Sequence, residues 1–566
     1  MRNYLKVFLF FLIFTGTAYG QSHVVTGKII DEQGYEAIGA TVLIKGTSTG
    51  VVTDINGVYQ INIPNPNTDI LVFSYIGMKT QEIAVNGQKN INVTFESSSV
   101  MLDEVVSIGY GTSRRGDLTG SVTSVKSTEL IKVPTADVTQ SLAGRMAGVQ
   151  VLQNEGAPGS SISIRVRGGI SITQSNEPLY IIDGFPSEDG MATLDPSEIE
   201  SIDILKDASA TAIYGARGAN GVVLITTKSG LKDGQKLTIS FDTYVGFKNV
   251  SNSLPVLSTE EFALLDYERR YGANRDTGIE NFEKLYGPFS DIRTNYGNRG
   301  GIDWQKETLG RTAYTQNYRI GLNGGTKEMQ YNLSYLFFKD QGAMVYSGND
   351  KNNILLNINH KPNDKFSISG RVNYDQIKVY GMGTSENGDR FNKMQHILQY
   401  RPTVGINGTD DLLLGDEDPL LMDDSGNVMQ NPLISAEEET NNKEYRTIQA
   451  SESFTYKFLK NWSFRNSSGI RYQTRRDEVF FGDRSIIAKR SSINGSITNR
   501  ETGSFQTSNV INYNTKSKGN RYEVMLGQEY VERWNRYFKA SASNFPNDDI
   551  GLNDLSLGAT PGIPQS

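Results

Sequence analysis

Met329-Gln-Tyr-Asn-Leu-Ser-Tyr-Leu-Phe337 sets Met329, Tyr331, Leu333, Tyr335 and Phe337 on every second position, with Gln330, Asn332 and Ser334 between them. Successive side chains of a β-strand point to opposite faces, so this spacing makes one apolar face and one polar face. Gly324-Gly-Thr-Lys327 precedes it, and Tyr318, Ile320 and Leu322 stand before that turn on the same spacing. Together they read as an antiparallel hairpin. Seven further strand-length segments follow the pattern: one from Leu237 to Phe247, then Ile354–Ile358, Phe366–Tyr374, Ile448–Tyr456, Trp462–Tyr472, Phe505–Tyr513 and Tyr522–Tyr530. Asn, Ser, Thr, Arg and Gln fill the alternate positions, which suits a water-filled lumen opposite a lipid face. Tyr335, Tyr374, Trp462 and Tyr472 near segment ends fit interfacial aromatic girdles.

The connections sharpen this reading. Short turns at 324–327, 361–365, 458–461 and 515–520 alternate with longer connections, the longest about 248–314 and 375–446. Short turns on one side and long loops on the other are the pattern of an outer-membrane barrel, whereas a soluble sandwich has no reason to sort its loops by side. The expected fold class is therefore mainly β, with a transmembrane antiparallel β-barrel over 231–566. That barrel is expected to be incomplete. Plugged transporters use about 22 strands, only nine are legible in the 336 residues after Gly230, and the terminal Gly558–Ser566 stretch carries no aromatic strand. An unclosed sheet in lipid leaves edge amides unpaired at several kcal/mol each. The chain thus reads as a piece of a longer product or the product of an interrupted gene.

Upstream, residues 1–20 carry Arg2 and Lys6, an apolar run Val7–Phe14 and Ala18-Tyr19-Gly20, a secretory signal peptide whose apolar run is too short to span a bilayer. Its removal takes the net charge of −7 to about −9. Nothing in this balance suggests nucleic acid. The absence of cysteine excludes disulfides, thiolate metal sites and cysteine nucleophiles.

Residues 22–98 read as a small β-sandwich, with strands at Val24–Ile30, Thr41–Lys45, Tyr59–Ile63, Ile70–Tyr75 and Asn90–Phe95 between Gly, Asn, Asp and Pro turns. Asp54-Ile-Asn-Gly57 has the look of a calcium loop, but its twelfth position is Asn65 where a bidentate Glu is needed, so a turn is the reading. After Ser97-Ser-Ser99 comes Met101–Gly111, short and β-prone. By spacing alone an ordinary linker strand is the simpler account; the other is an extended segment that pairs with another protein's sheet edge. Residues 112–230 form a mixed α/β region. Asp195-Pro196 starts a helix, Asp207 caps Ala208–Tyr214, Gly215 ends it, and Gly221–Lys228 is the closing strand. Arg165 and Arg167 fall on one side of a strand as a basic stripe.

These segments also carry a likeness. Val25-Thr-Gly-Lys-Ile-Ile-Asp31, Ile38-Gly-Ala-Thr-Val42 and Thr53–Tyr59 resemble the carboxypeptidase-regulatory-like domain. Leu102-Asp-Glu-Val-Val-Ser-Ile-Gly-Tyr-Gly111 looks like the TonB box of SusC/RagA-type TonB-linked importers, while Ile164–Gly168, Pro178-Leu-Tyr-Ile-Ile-Asp-Gly184 and Leu205–Gly221 resemble their plug-domain signatures. The resemblance runs from the signal peptide to the end of the chain. It implies a plug at 112–230 inside the barrel, a TonB-binding segment at 101–111 led by Leu102, Asp103, Glu104, Val105 and Val106, and plug–wall ion pairs from Arg165, Arg167 and Arg217. The Arg residues serve equally well as supports of the plug's own structure. The implied partners are TonB with its inner-membrane motor, a SusD-like surface lipoprotein, outer-membrane lipid, and a glycan or peptide ligand. The implied place is the cell outer membrane and the implied activity active nutrient import, an oligosaccharide first and an oligopeptide second.

Two rivals stand beside this. Zinc enzymology fails on the residues: His23, His360 and His396 have Thr26, Asn363 and Gln399 three places on, so no HxxE or HExxH is present, and no enzyme, cofactor or metal site is expected. The acidic run Asp410–Asp424 reads as a solvated loop rather than a calcium site. A receptor or adhesin without transport fits the barrel equally, but gives the box-like segment no use.

Overall fold

A computed structural model describes residues 23–566 apart from 97–104, 109–110, 115–121, 231–236, 382–392, 404–428, 430 and shorter stretches of one to three residues. The signal peptide, Leu102, Asp103, Glu104, Arg167 and the acidic run Asp410–Asp424 lie outside the described residues. Two compact units form, residues 1–106 with 112–118 and residues 107–111 with 119–566.

The first unit is a sandwich of seven strands: β1 (His23–Asp31), β2 (Thr41–Ile44), β3 (Gly50–Val52), β4 (Val58–Ile63), β5 (Ile70–Ser74), β6 (Gln81–Ala84) and β7 (Val93–Phe95). One sheet runs β4-β1-β7 and the other β3-β2-β5-β6. Tyr59, Ile61 and Ile63 alternate inward with Gln60 and Asn62 outward, and Val25, Ile29, Leu71 and Phe73 complete the core. Strands β3 and β6 are too short to show a period in the sequence. Asp54 makes the expected turn, its Oδ1 accepting from the Asn56 and Val58 amides at 2.9 and 2.8 Å. Beyond it, β8 (Val105–Ile108) and β9 (Gly111–Arg114) form a two-stranded sheet.

The second unit begins with an α/β layer: β10 (Val122–Lys126), β11 (Val149–Gln153), β12 (Ile162–Val166), β13 (Leu179–Ile182), β14 (Phe185–Ser187), β15 (Ile199–Leu205) and β16 (Val222–Thr227). Five of these make a sheet in the order β10-β15-β16-β13-β14, and β11 pairs with β12. Ile202, Ile204, Val223 and Ile225 pack its core with Leu142 and Ile164. The first expected helix is shorter than the sequence suggests. Asp195 builds a capping box with Glu198, yet only a 3-10 turn, Pro196–Glu198, follows, because the β-branched run from Ile199 continues as a strand. A second 3-10 segment, Ala212–Gly218, is kinked at Gly215 (φ 58°), so the chain bends where a stop was expected and then resumes.

The remainder is one antiparallel meander: β17 (Thr238–Lys248), β18 (Ala313–Gly325), β19 (Met329–Gln341), β20 (Gly348–His360), β21 (Phe366–Tyr380), β22 (Glu439–Leu459), β23 (Trp462–Phe481), β24 (Asn494–Ser517), β25 (Asn520–Ser543) and the two-residue β26 (Thr560–Pro561). The nine long strands are the nine segments legible in the sequence. Its register aligns Phe241, Ile320, Tyr335, Ile354, Tyr374, Ile448 and Tyr472 across neighbouring strands. This row faces outward, with Ile320 46%, Ile354 44% and Ile448 48% exposed, whereas Asn353, Asn373 and Asp375 on the other face are 0%, 1% and 1% exposed. Water-soluble sheets bury the apolar row and expose the polar one; this sheet does the reverse, which is the arrangement of a wall bathed in hydrocarbon. Aromatic rings cluster beside the short turns, Phe454 on Phe464 and Trp462 on Tyr513. The β17–β18 connection is not structureless: it holds α1 (Thr259–Ala273), α2 (Arg275–Tyr286), α3 (Ile292–Tyr296) and α4 (Trp304–Leu309) around Phe282, Tyr286 and Tyr296.

Candidate functional site

The inward face of the meander carries the α/β layer, and the contacts between them define the site. At the middle of β18–β20 they are buried. Glu198, 2% exposed, accepts a hydrogen bond from the Ser334 hydroxyl at 2.8 Å and one from the Asp195 amide at 3.4 Å. Burial, and then the Asp195 charge, push its carboxyl above the usual range, against the Ser334 hydrogen bond and the Arg371 and Arg319 charges. Lys351 donates from Nζ to the carbonyls of Ala192 (3.0 Å) and Leu194 (3.1 Å), which holds the loop before Asp195 on the wall. Asn353 donates to the Thr193 carbonyl at 3.3 Å and meets Asn373 and Asp375 at 2.9 Å each. Lys228, at the end of β16, is held below the ordinary lysine range by burial and by Arg319.

A second contact comes from the turn between β13 and β14. Asp183 (φ 51°) and Gly184 (φ 88°) are both left-handed, the geometry of a tight hairpin turn that Asp-Gly favours. Asp183 is fixed by Thr227, whose amide and hydroxyl donate to its two oxygens at 2.8 and 2.7 Å, and it pairs with Arg371 of β21 at 2.9 Å. Next to it the Phe185 ring fills the space a side chain on Gly469 of β23 would take, since a Cβ there would lie 2.4 Å from the ring. Farther along, Arg217 Nη1 lies 3.3 Å from Glu529 of β25.

Of the residues singled out in the sequence, Arg217 thus meets the wall, Arg165 lies on β12 and is exposed, and Val105 and Val106 begin β8. Asp183, Glu198, Lys351, Asn353 and Arg371 were not singled out. Only the Asp-Gly pair and the inward parity of Lys351, Asn353 and Arg371 gave a signal.

On the long-loop side a cavity of about 660 Å³ opens between layer and wall, lined by Asp137, Glu177 and Tyr180 from the layer and Asp340, Tyr445 and Gln473 from the wall. The Tyr180 hydroxyl donates to Glu177 at 2.9 Å, and burial raises both groups above their ordinary values. Carboxylates, amides and two phenol rings around one hollow suit a hydroxyl-rich or amide-rich solute, which needs both hydrogen bonds and ring contact.

An inside-out antiparallel sheet that holds an α/β plug against its polar face is the architecture of a TonB-dependent receptor. Residues 114–222 match the TonB-dependent receptor plug domain and residues 25–107 the CarboxypepD_reg-like domain. TonB-dependent receptor P3 of Formosa agariphila is 30% identical over 570 residues, which cover 99% of this chain and 53% of that protein. TonB-dependent receptor SusC of Bacteroides thetaiotaomicron is 38% identical over 338 residues, 58% of this chain and 31% of SusC. Among solved structures, the RagAB peptide importer in its open-open state shares the fold with a TM-score of 0.66 at 24% identity, over 82% of this chain and 53% of that one. The chain belongs to the SusC/RagA family of TonB-dependent receptors and spans about half the length of the curated relatives it matches. Its relatives are receptors and transporters, not enzymes, and SusC-type receptors are outer-membrane proteins.

Proposed function

We propose that the receptor sits in the outer membrane and imports a nutrient, an oligosaccharide in the first place and an oligopeptide in the second. The observation that carries this reading is the pairing of an outward apolar sheet with a plug seated on its inward polar face. A wall of that kind belongs in lipid, and a plug in its lumen is useful only if it can be moved. The short turns then face the periplasm and the long loops the cell exterior, where a SusD-like surface lipoprotein would cap the barrel.

On this reading the solute settles in the 660 Å³ cavity, where Tyr180 and Tyr445 offer ring faces and the carboxylates and amides bind hydroxyls. The segment Leu102-Asp103-Glu104-Val105-Val106 then becomes available to TonB. Its β8 part is already extended and paired with β9, so an exchange of strand partners supplies main-chain hydrogen bonds without a new backbone conformation. Work done by the inner-membrane motor reaches the plug through 112–121. Arg217, with Arg165 and Arg167, is assigned to plug–wall ion pairing that yields under this force.

Uptake of labelled oligosaccharides and of labelled peptides, with and without collapse of the proton gradient, tests the proposal. The expected result is saturable, gradient-dependent uptake of the oligosaccharide. Uptake of the peptide alone transfers the reading to peptides, and binding without gradient-dependent uptake of either would leave a receptor that does not transport.

A further inference from the structure

The plug does not grip the wall evenly. At the middle of β18–β20, below the 660 Å³ cavity, the contact is closely packed: Ser334 is 1% exposed, Leu336 0% and Asn353 0%. Against β21–β24 the inward side chains shrink to hydroxyls in one transverse row. Ser369 is opposite Ser453, Ser453 opposite Ser467 and Ser467 opposite Ser508. Asn359 extends the row at one end, and Glu529, the partner of Arg217, closes it at the other. The Ser453 and Ser467 hydroxyls are 3.0 Å apart.

Between this row and the Asp183–Gly184 turn lies a cavity of about 250 Å³. That is room for about eight waters at ~30 Å³ each. Asn357, Arg371, Ser369, Ser453 and Ser467 line its wall side, and Asp183 with Phe185 roofs it. Two buried polar groups here are incompletely satisfied. Arg371, 5% exposed, uses Nη1 on Asp183 while Nε and Nη2 have no protein partner, and Asn357 Oδ1 has none either. A guanidinium carries five donors, and buried donors left unpaired are costly, so Arg371 is an acceptor-seeking group held in check by one carboxylate.

We infer that this hydroxyl-lined seam is the route by which solute passes the plug, and that Arg371, once Asp183 lifts away, is the donor that receives the solute's oxygen atoms. The inference rests on the import reading. Opening the seam requires separating two ion pairs, Asp183–Arg371 and the more exposed Arg217–Glu529, and withdrawing one aromatic ring. Opening on the β18–β20 side requires stripping Glu198, Lys351 and Asn353 from buried hydrogen bonds. The small hydroxyl side chains offer a passing polar solute many interchangeable hydrogen bonds, and Arg465, whose Nε donates to Ser453 at 3.2 Å, adds a further donor beside the row. Its row lies within a few residues of the short turns at 361–365 and 460–461, so the seam leads to the side that is periplasmic on the import reading.

None of these 566 residues is a cysteine, so labelling of an introduced thiol is read against the unsubstituted receptor. Ser467→Cys and Asn353→Cys, each in the receptor in outer membranes of the producing cell, are exposed to an anionic methanethiosulfonate reagent. The expected result is that the thiol at 467 reacts at least tenfold faster than that at 353. Once modified, Ser467→Cys protein takes up labelled oligosaccharide at least tenfold more slowly, with surface binding unchanged. Equal labelling rates, or full uptake after complete modification at 467, overturn the inference while gradient-dependent uptake by the wild type keeps the import reading intact. If the wild type shows no such uptake, the import reading fails by itself, and equal labelling rates still decide against the seam.

Discussion

Replacing Asp183 with Asn tests how the plug is latched. Asn tolerates the φ of 51° and its oxygen still accepts from the Thr227 amide, so the turn survives while the charge and the acceptor for Arg371 Nη1 are lost. Arg371, whose side chain is 6% exposed, then faces the plug without a counter-charge at 2.9 Å. Breaking a buried pair by removing one partner costs about 3–5 kcal/mol. The Asp183 side chain is 30% exposed, so solvent screens part of the lost interaction, which brings the expectation to about 2–3 kcal/mol. That corresponds to a roughly 30- to 150-fold larger population with the turn detached, at about 1.4 kcal/mol per tenfold. Limited proteolysis of the turn in isolated outer membranes reads this population, because cleavage follows the open fraction when opening and closing are fast. Cleavage within twofold of wild type would refute the latch, and with it the weight placed on Arg371.

Ile354→Arg puts a charge in the centre of the outward row; it is expected to cost about 2–4 kcal/mol in lipid and to lower the yield of membrane-inserted protein, measured by heat-modifiable mobility on gels. Glu198→Gln bears on pH. Because burial raises the Glu198 carboxyl, the folded plug holds that proton more tightly than the unfolded chain does; its contribution is complete below the ordinary carboxyl value and is lost as pH rises through the raised one. Plug protection against protease should therefore decline with rising pH in the wild type and decline less in the Gln variant. Gly469→Ala drives a methyl group into the Phe185 ring and should loosen the β13–β14 turn by about 1–3 kcal/mol, seen as faster cleavage there and no change in barrel insertion.

Much of this architecture was legible because a lipid-facing wall writes itself as a period of two. Tyr331, Leu333 and Tyr335 announce their strand, and the sorting of short and long connections announces the side of the membrane. Strands β3 and β6 were missed because three or four residues cannot display a period. The helix expected after Asp195-Pro196 failed for a different reason: the capping box is real, but Ile199, Ile202 and Ile204 belong to β15, an interior strand of the plug sheet, and sheet packing overrides a local start signal. Helices α1–α4 were passed over as loop since their apolar residues pack on one another, Tyr267 on Phe282 for instance, rather than forming one long stripe. The latch was invisible for a third reason. Asp183 and Arg371 are 188 residues apart, and only the fold brings a turn residue to an inward barrel position. The family likeness supplied Arg217 but gave no reason to look at Glu198 or Lys351, whose roles depend on burial.

On the import reading, force applied to the segment before the plug opens a path between plug and wall. Deleting residues 102–111 and measuring solute uptake and surface binding separately tests it most directly. The account predicts that uptake falls to the level of cells without the receptor while binding is unchanged. Undiminished uptake by the deleted protein would contradict it.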